Sequence, residues 1–203
     1  MVAAFYRLPI VMAVVNRTLG PPWNIWADQG DTLMLRDFAW LQFYCETNQE
    51  VLDTTLLAFR LAEDQRVMLP VLTCMDAFIV SHTQTETALP EQADVDRFLP
   101  DLDLPHRTRT GEARTLGGLA WPHEGLSMRL EIDEAMRRVP GVYQECRKAF
   151  TEIFGRDPGD VIQTFETGDA ETILIASGTM ATTVREVVRK RREAGEKLGF
   201  LPG

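Results

Sequence analysis

The sequence predicts an α/β fold with a parallel sheet, and this prediction depends on two apolar runs and the periodic segment between them. Residues 11–15 and 67–74 are rich in valine and leucine, which is typical of strands buried on both faces. Residues 48–64 have the apolar spacing of a helix. A strand, a helix and a strand in this order form a βαβ unit, whose two strands run parallel.

Two helices are predicted between these strands. Residues 33–44 form the first, and residues 48–64 form the second, which begins at Asn48 because asparagine is a good N-cap. The predicted buried stripe of the second helix consists of Leu52, Leu56 and Phe59.

The middle of the chain predicts a linker and then a long helical stretch. Residues 87–122 are rich in Pro, Asp and Gly and predict an extended linker. Apolar residues then recur at three- and four-residue spacing, which predicts a core-facing stripe. Pro140 and Gly141 interrupt it and predict a kink or two shorter helices. The stripe consists of Ile132, Met136, Val139, Tyr143, Cys146, Phe150 and Ile153.

The last part of the chain predicts a second strand-and-helix unit. Residues 170–177 predict a third buried strand, and residues 179–194 a helix that ends before Gly195. Its predicted apolar face consists of Val184, Val187 and Val188. A further strand begins at Gly199.

Composition narrows the classes of partner. The net charge of −9 argues against nucleic acid and membrane surfaces, because phosphate contacts need clustered Lys and Arg. No apolar run has the roughly 20 residues of a membrane-spanning helix. Cys45, Cys74 and Cys146 lie far apart, which predicts no metal or iron–sulfur site on this chain, no disulfide framework and a cytoplasmic location. His106 and His123 also lack metal-ligand spacing.

Arg17 is the leading candidate for a binding residue. It follows the first predicted strand, and ligands of open α/β sheets bind at the carboxyl ends of strands. Its guanidinium suits a carboxylate or a phosphate. The alternative is a structural ion pair with Asp28 or Asp31, two acids that are also suited to capping the next helix. Trp23 and Trp26 form either an apolar pocket wall or part of the core.

Two further positions carry weaker signals. His82 has the side chain for proton transfer, although a hydrogen-bonded structural histidine is the favoured interpretation. The turn Ser177-Gly178-Thr179 precedes a predicted helix, whose N–H groups suit an anion. It lacks a full glycine fingerprint, so a phosphate-binding regulatory domain is a distant alternative.

Several blocks of sequence match one known family in the same order. They include Val14-Val15-Asn16-Arg17 and Asn48-Gln49-Glu50-Val51, within the matching residues 11–31, 41–44, 48–53, 59–64, 76–78, 81–83, 96–100 and 170–178. These blocks resemble the alpha subunit of pyruvate:ferredoxin oxidoreductase, a 2-oxoacid:ferredoxin oxidoreductase.

The resemblance implies an activity, cofactors and partners. Family members oxidise a 2-oxoacid with coenzyme A to an acyl-CoA and pass the electrons to ferredoxin. Thiamine diphosphate forms the adduct and is held with a thiamine-binding beta subunit, while iron–sulfur clusters lie on another subunit. The resemblance favours pyruvate as the substrate, although other 2-oxoacids remain open.

The resemblance also implies a domain arrangement. Residues 1–122 correspond to a partial pyrimidine-binding-type thiamine domain with its Pro-rich linker, and residues 123–168 to a helical connector. Residues 169–203 correspond to the start of a transketolase C-terminal-like domain. Because the family's cofactor-activating glutamate has no counterpart here, we expect a chain truncated at both ends that is inactive alone.

One residue of the family's site carries over directly. Arg17 matches the arginine that meets the substrate carboxylate, and Asp28, Asp31 and His82 are expected to line the site. No residue is assigned a catalytic role. Many relatives read Asp-His-Ser-Asp where this chain has Asp28-Gln29-Gly30-Asp31, so either the substrate pocket differs or catalytic competence is lost. The second outcome corresponds to an inactive assembly or interaction module.

Overall fold

Two parallel sheets and six helices form the fold of the described part of the chain. The computed structural model describes residues 2–104, 110–113 and 117–202. The first sheet contains β1 (Val11–Asn16), β2 (Leu41–Cys45) and β3 (Val71–Asp76), and the second contains β4 (Thr172–Ala176) and β5 (Leu198–Pro202). The helices are α1 (Val2–Phe5), α2 (Gly30–Leu33), α3 (Asn48–Ala62), α4 (Gln92–Phe98), α5 (Pro122–Phe154) and α6 (Met180–Glu193). The predicted α/β fold with parallel strands is therefore confirmed.

The first sheet has the strand order β1-β3-β2, with both pairs parallel. Its register places Asn16 beside Asp76 and Cys45 beside Met75, so the three strands end at one edge. Central β3 is almost entirely buried, as predicted. The prediction that the first strand is buried on both faces is wrong: β1 has a neighbour on one side only, and Met12 and Val15 are exposed.

Helix α3 forms where predicted, but its cap and its buried face differ. Thr47 is the N-cap, because its hydroxyl accepts the Glu50 N–H, and the Glu50 carboxylate accepts the Glu46 N–H in return. Phe59 is exposed, and Leu52 and Leu56 are only half-buried. The buried face is one position further round the helix, where alanines let the helix approach the sheet. The buried residues of α3 are Asp53, Thr54, Leu57, Ala58, Leu61 and Ala62.

The predicted helix over residues 33–44 is wrong. Only α2 and a 3₁₀ turn at Arg36–Phe38 form there, and β2 begins at Leu41. Ala39 adopts a left-handed conformation with φ of 59°, which ends the helical turn. Leu41 and Phe43 then pack against the core, while the side chain of Gln42 between them donates to the Thr32 carbonyl oxygen. This two-residue alternation is typical of a strand.

Helix α5 is continuous through Pro140, so the alternative of two shorter helices is wrong. Its predicted core stripe is confirmed, because Ile132, Tyr143, Cys146 and Phe150 are buried. The preceding segment is not wholly extended as predicted, since α4 forms within it. Phe98 of α4 is fully buried and meets Phe150 edge to face at 5.4 Å. His106 lies outside the described residues.

The second sheet pairs β4 with β5 in parallel, and α6 packs on it. The prediction that the third strand is buried is wrong: Ile175 is 75% exposed, because only one face of this two-stranded sheet is covered. Helix α6 ends before Gly195 as predicted, with Val188 buried, Val184 half-buried and Val187 exposed. The domain boundaries after residues 122 and 168 stay predictions. No helix in the described ranges is long and apolar enough to cross a membrane.

Candidate functional site

A polar network begins where β1 ends. Asn16 is fully buried, and its Nδ2 donates to Asp31 Oδ1 at 2.7 Å and to Thr32 Oγ1 at 2.9 Å. The other oxygen of Asp31 accepts the backbone N–H of Arg17 at 3.0 Å. Asp31 therefore ties the end of β1 to the first turn of α2, and it fixes the backbone at the start of the loop that follows.

The same network extends to β2. Thr32 Oγ1 lies 2.9 Å from Tyr44 Oη, which donates to Gln42 Oε1 at 2.9 Å. Gln42 Nε2 donates to the Thr32 carbonyl oxygen at 3.0 Å. Burial raises the pKa of the Tyr44 phenol, so it stays protonated and able to donate. The start of α2 is thus held to both edge strands of the sheet.

Among the described residues, the side chain of Arg17 has no hydrogen bond to this network, which Arg17 meets through its backbone N–H. This side chain is exposed and forms no ion pair within the described ranges. Asp31 accepts the backbone N–H of Arg17 and not its guanidinium. Asp28 Oδ1 accepts the Gly30 N–H at 2.6 Å instead. The predicted alternative of a structural ion pair between Arg17 and Asp28 or Asp31 is therefore wrong, and both acids instead hold the loop and the start of α2.

A groove of about 390 Å³ lies beside Arg17. Trp23, Leu19 and Ile25 give it an apolar wall, and Asp31 also lines it. Trp23 is 98% exposed and Trp26 is 72% exposed, so the alternative that they pack in the core is wrong. The arrangement offers a single cation beside apolar and aromatic surface, which suits a small organic anion.

A second set of contacts joins this region to the β4–α6 turn. Ser177 Oγ donates to Gln29 Oε1 at 2.6 Å. Asp76 Oδ2 accepts the backbone N–H of Thr179 at 2.9 Å and its hydroxyl at 2.5 Å. A carboxylate of this chain therefore already lies at the turn that was considered as an anion site, which disfavours phosphate there.

These contacts were missed by sequence reasoning. Asp76 and Thr179 are 103 positions apart, and Gln29 and Ser177 are 148 apart. The only local signal was the turn Ser177-Gly178-Thr179-Met180, which was interpreted as a weak anion site rather than as a contact within the chain. Next to it lies a cleft of about 480 Å³ lined by Asp28, Gln29, Asp76, Ser177 and Met180 among others.

His82 lies apart from the groove lining. Its ring is exposed, stacks on Phe78 with centroids 4.3 Å apart, and its Nδ1 lies 2.8 Å from Ser81 Oγ. Ser81 Oγ also accepts the Phe78 N–H at 3.0 Å. These contacts suit the structural interpretation, and a place in the site stays a prediction. Across the described ranges, no three His, Cys, Asp or Glu side chains cluster so as to hold a metal ion.

Comparisons with known proteins identify relatives over nearly the whole chain. It is 40% identical over 199 residues to the pyruvate synthase subunit PorA of Methanothermobacter thermautotrophicus, covering 98% of this chain and 52% of the relative. The PorA subunit of Pyrococcus furiosus is 43% identical over 200 residues, with 98% and 50% covered. The ketoisovalerate oxidoreductase subunit VorA of Pyrococcus horikoshii is 40% identical over 199 residues, also with 98% and 50% covered. The chain thus spans about half the length of these curated relatives.

A solved structure shares the fold. The 2-oxoglutarate:ferredoxin oxidoreductase from Magnetococcus marinus, with 2-oxoglutarate, coenzyme A and succinyl-CoA bound, matches all of this chain and 38% of its own with a TM-score of 0.67. At 12% identity this likeness concerns the fold alone. The family model described as "Pyruvate flavodoxin/ferredoxin oxidoreductase, thiamine diP-bdg" matches residues 1–148. The resemblance seen in the sequence is confirmed, and the chain belongs to the pyruvate flavodoxin/ferredoxin oxidoreductase family, in its thiamine-diphosphate-binding part.

Proposed function

We propose that this chain is the alpha-subunit portion of a 2-oxoacid:ferredoxin oxidoreductase and that Arg17 binds the substrate carboxylate. The observation that carries the proposal is the free guanidinium of Arg17 in a groove at the carboxyl end of a parallel sheet. A guanidinium donates two in-plane hydrogen bonds to a carboxylate, which fixes the direction of the neighbouring carbonyl group. Such a contact positions the oxoacid for reaction.

The substrate class is a 2-oxoacid, with pyruvate favoured. Relatives are named for pyruvate and for ketoisovalerate, and the solved structure with the shared fold binds 2-oxoglutarate. All three molecules have the 2-oxocarboxylate group, which is the part that Arg17 suits. Their side chains differ in size and charge, so the surfaces around Trp23 and Ile25 are where discrimination between them is expected.

The described residues suit the substrate better than they suit thiamine diphosphate. The carboxylates near the groove already accept hydrogen bonds: Asp31 from Asn16 and Arg17, and Asp28 from Gly30. That leaves no free buried acid here to pair with the cofactor's aminopyrimidine. We therefore propose that the cofactor is held together with a thiamine-binding beta subunit, and we assign no chemical step on it to this chain.

The remaining partners follow from the same proposal. Coenzyme A is the acyl acceptor, and ferredoxin takes the electrons through iron–sulfur clusters on another subunit. The cysteines of this chain are free and buried, which suits a subunit without clusters in a reducing compartment such as the cytoplasm. The PorA names of the relatives support a multi-subunit assembly.

The test is the Arg17→Ala variant in the complete enzyme complex, assayed for oxoacid-dependent reduction of ferredoxin. A hydrogen bond to a charged group contributes about 1.5–3 kcal/mol, so the KM for the oxoacid should rise about tenfold or more. Arg36→Ala is the matched control, because Arg36 is an exposed arginine close by in the sequence. It should leave the KM unchanged.

The alternative is a non-catalytic assembly or interaction module, and one observation favours it. The Arg17 loop, residues 17–29, exposes the large apolar side chains Leu19, Trp23, Ile25 and Trp26 together, and clusters of exposed apolar side chains are typical of interaction sites. Unchanged steady-state kinetics in Arg17→Ala, together with loss of the complex on replacing Trp23 by Ser, would favour this alternative over the enzyme subunit.

A further inference from the structure

The loop that carries Arg17 is attached to the fold at both ends. We define the Arg17 loop as residues 17–29. At its first end, the Asp31 carboxylate accepts the Arg17 backbone N–H. At its other end, Gln29 is the N-cap residue of α2, and its carbonyl oxygen accepts the N–H groups of Thr32 and Leu33 at 3.2 Å and 2.9 Å.

The side chain of Gln29 reaches the other sheet. Gln29 Oε1 accepts a hydrogen bond from Ser177 Oγ, with 2.6 Å between the two oxygens, and the contact is partly buried. Ser177 directly follows β4, so this contact joins the cap of α2 to the β4–α6 unit. The hydrogen bond from Ser177 therefore contacts the N-cap residue of α2. The first turn of the same helix contains Asp31, whose carboxylate accepts the Arg17 backbone N–H.

The approach of the two parts depends on a glycine. Gly178 has φ of 60°, and a Cβ atom placed there would lie 2.7 Å from Asp76 Oδ2 and 2.8 Å from Gln29 Nε2. The adjacent Thr179 donates its N–H and hydroxyl to Asp76. Asp76 and Gln29 thus contact neighbouring positions of the β4–α6 turn. Because Asp76 is the last residue of β3, its hydrogen bonds to Thr179 fix the position of Ser177 relative to β3.

We propose that Ser177 is a positioning residue for the substrate site. Its hydroxyl holds Gln29, and Gln29 in turn holds the cap of α2 and the Arg17 loop in the conformation that presents the guanidinium to the groove. The kinetic consequence rests on the proposed role of Arg17, whereas the attachment of the loop does not. The β4–α6 unit then acts on substrate affinity without contacting the substrate.

The experiment compares Ser177→Ala with Ser177→Thr and Ser127→Ala in the complete enzyme complex. Ser177→Thr keeps the hydroxyl donor. Ser127→Ala is the matched control, because the exposed Ser127 hydroxyl donates to the His123 carbonyl oxygen of its own helix at 3.1 Å. Hydrogen exchange of the peptides that cover residues 18–33 reports the loop, and steady-state kinetics report the oxoacid KM and kcat.

In Ser177→Ala, we expect exchange in residues 18–33 to accelerate at least threefold while α3 is unaffected. The oxoacid KM should rise about threefold to tenfold, as the loss of one neutral hydrogen bond allows, with kcat within twofold of the parent. Ser177→Thr should restore both values, and Ser127→Ala should change neither. Gln29→Ala should have the same effects, and the double variant with Ser177→Ala should add nothing further.

Two results would overturn the inference: loop exchange that does not change in Ser177→Ala and Gln29→Ala, or effects of these variants that add independently. If the Ser177→Ala complex does not assemble, the loop exchange and the oxoacid KM of Gln29→Ala are compared with those of the parent and of Ser127→Ala instead. Failure of the proposed function looks different. In that case the loop exchange accelerates in Ser177→Ala, but neither this variant nor Arg17→Ala alters the oxoacid KM.

Discussion

Asp31 holds Arg17 by its backbone and leaves its guanidinium free. Asp31 Oδ2 accepts the Arg17 N–H at 3.0 Å, while Oδ1 accepts from Asn16 Nδ2 and the Thr32 N–H at 2.7 Å and 2.8 Å. Both oxygens of the carboxylate therefore accept hydrogen bonds from the scaffold. Asp31 thus accepts hydrogen bonds from the backbone and from Asn16, and it forms no ion pair with Arg17 among the described residues.

Replacing Asp31 by Ala should destabilise the chain because the donors it serves lose their acceptor. The Asn16 amide is fully buried and would keep only its hydrogen bond to Thr32. One of its N–H groups would then have no acceptor, and we expect a loss of about 2–3 kcal/mol in the free energy of unfolding. Asp28→Ala is the control, since the hydrogen bond of Asp28 to Gly30 is exposed, and it should cost less than about 1 kcal/mol. Urea denaturation measures both. Equal losses in the two variants would contradict this role of Asp31.

The sequence predicted well those features that depend on local pattern. The boundaries of α3 and α6 and the parallel pairing of β1 and β3 follow from apolar spacing within a few residues, although the N-cap of α3 is Thr47 rather than Asn48. The position of Arg17 at the end of β1 follows for the same reason. These signals are local, so no knowledge of partners elsewhere in the chain was needed.

The features that the sequence did not predict depend on tertiary contacts between residues distant in the chain. Leu41–Cys45 forms a strand because its alternate residues meet the core on one side and Thr32 on the other, and five residues are too few to distinguish a strand from a helix by periodicity. The exposure of β1 and β4 reflects their positions in the sheets rather than their composition. Likewise, a glutamine in a loop gives no local sign of a serine 148 residues away.

Removing Arg156 should leave the buried Asp53 carboxylate without its charged partner, since among the described residues only the Gln49 amide would still donate to it, at 3.0 Å. Arg156 Nε and Nη2 donate to both oxygens of Asp53 at 2.9 Å and 2.6 Å, and Asp53 is only 5% exposed. Because Arg156 keeps some contact with water, we expect Arg156→Ala to lower the free energy of unfolding by about 2–4 kcal/mol, near the lower end for a broken buried pair.

Arg137→Ala is the matched control for that measurement, since the ion pair of Arg137 with Asp133 is exposed and should be worth less than about 0.5 kcal/mol. Chemical denaturation of both variants gives the comparison. Part of the loss at Arg156 reflects its packing over the rings of Phe150 and Phe154, so Arg156→Lys should recover only a fraction of the stability. A loss in Arg156→Ala no larger than in Arg137→Ala would show that Asp53 finds other partners.

Asp157 should make the stability of the chain sensitive to acid. The Arg147 guanidinium donates to both of its oxygens, at 2.7 Å and 2.6 Å, and with the Gly159 N–H it lowers the pKa of the Asp157 carboxyl from 3.8 to about 2. A lowered pKa in the folded state means that the unfolded chain binds the proton more tightly. The contribution is therefore present above about pH 4 and is lost as the pH falls towards 2.

Since Asp157 is half exposed, its contribution should stay below about 1 kcal/mol despite the size of the pKa shift. Asp157→Asn keeps an acceptor for the Gly159 N–H but cannot ionise. The difference in the free energy of unfolding between the parent and this variant should therefore favour the parent at pH 6 and vanish near pH 2. Asp37→Asn, which removes an exposed carboxylate 3.9 Å from Arg36, is the control. A difference that stays constant between pH 6 and pH 2 would mean that the charge of Asp157 does not contribute to folding.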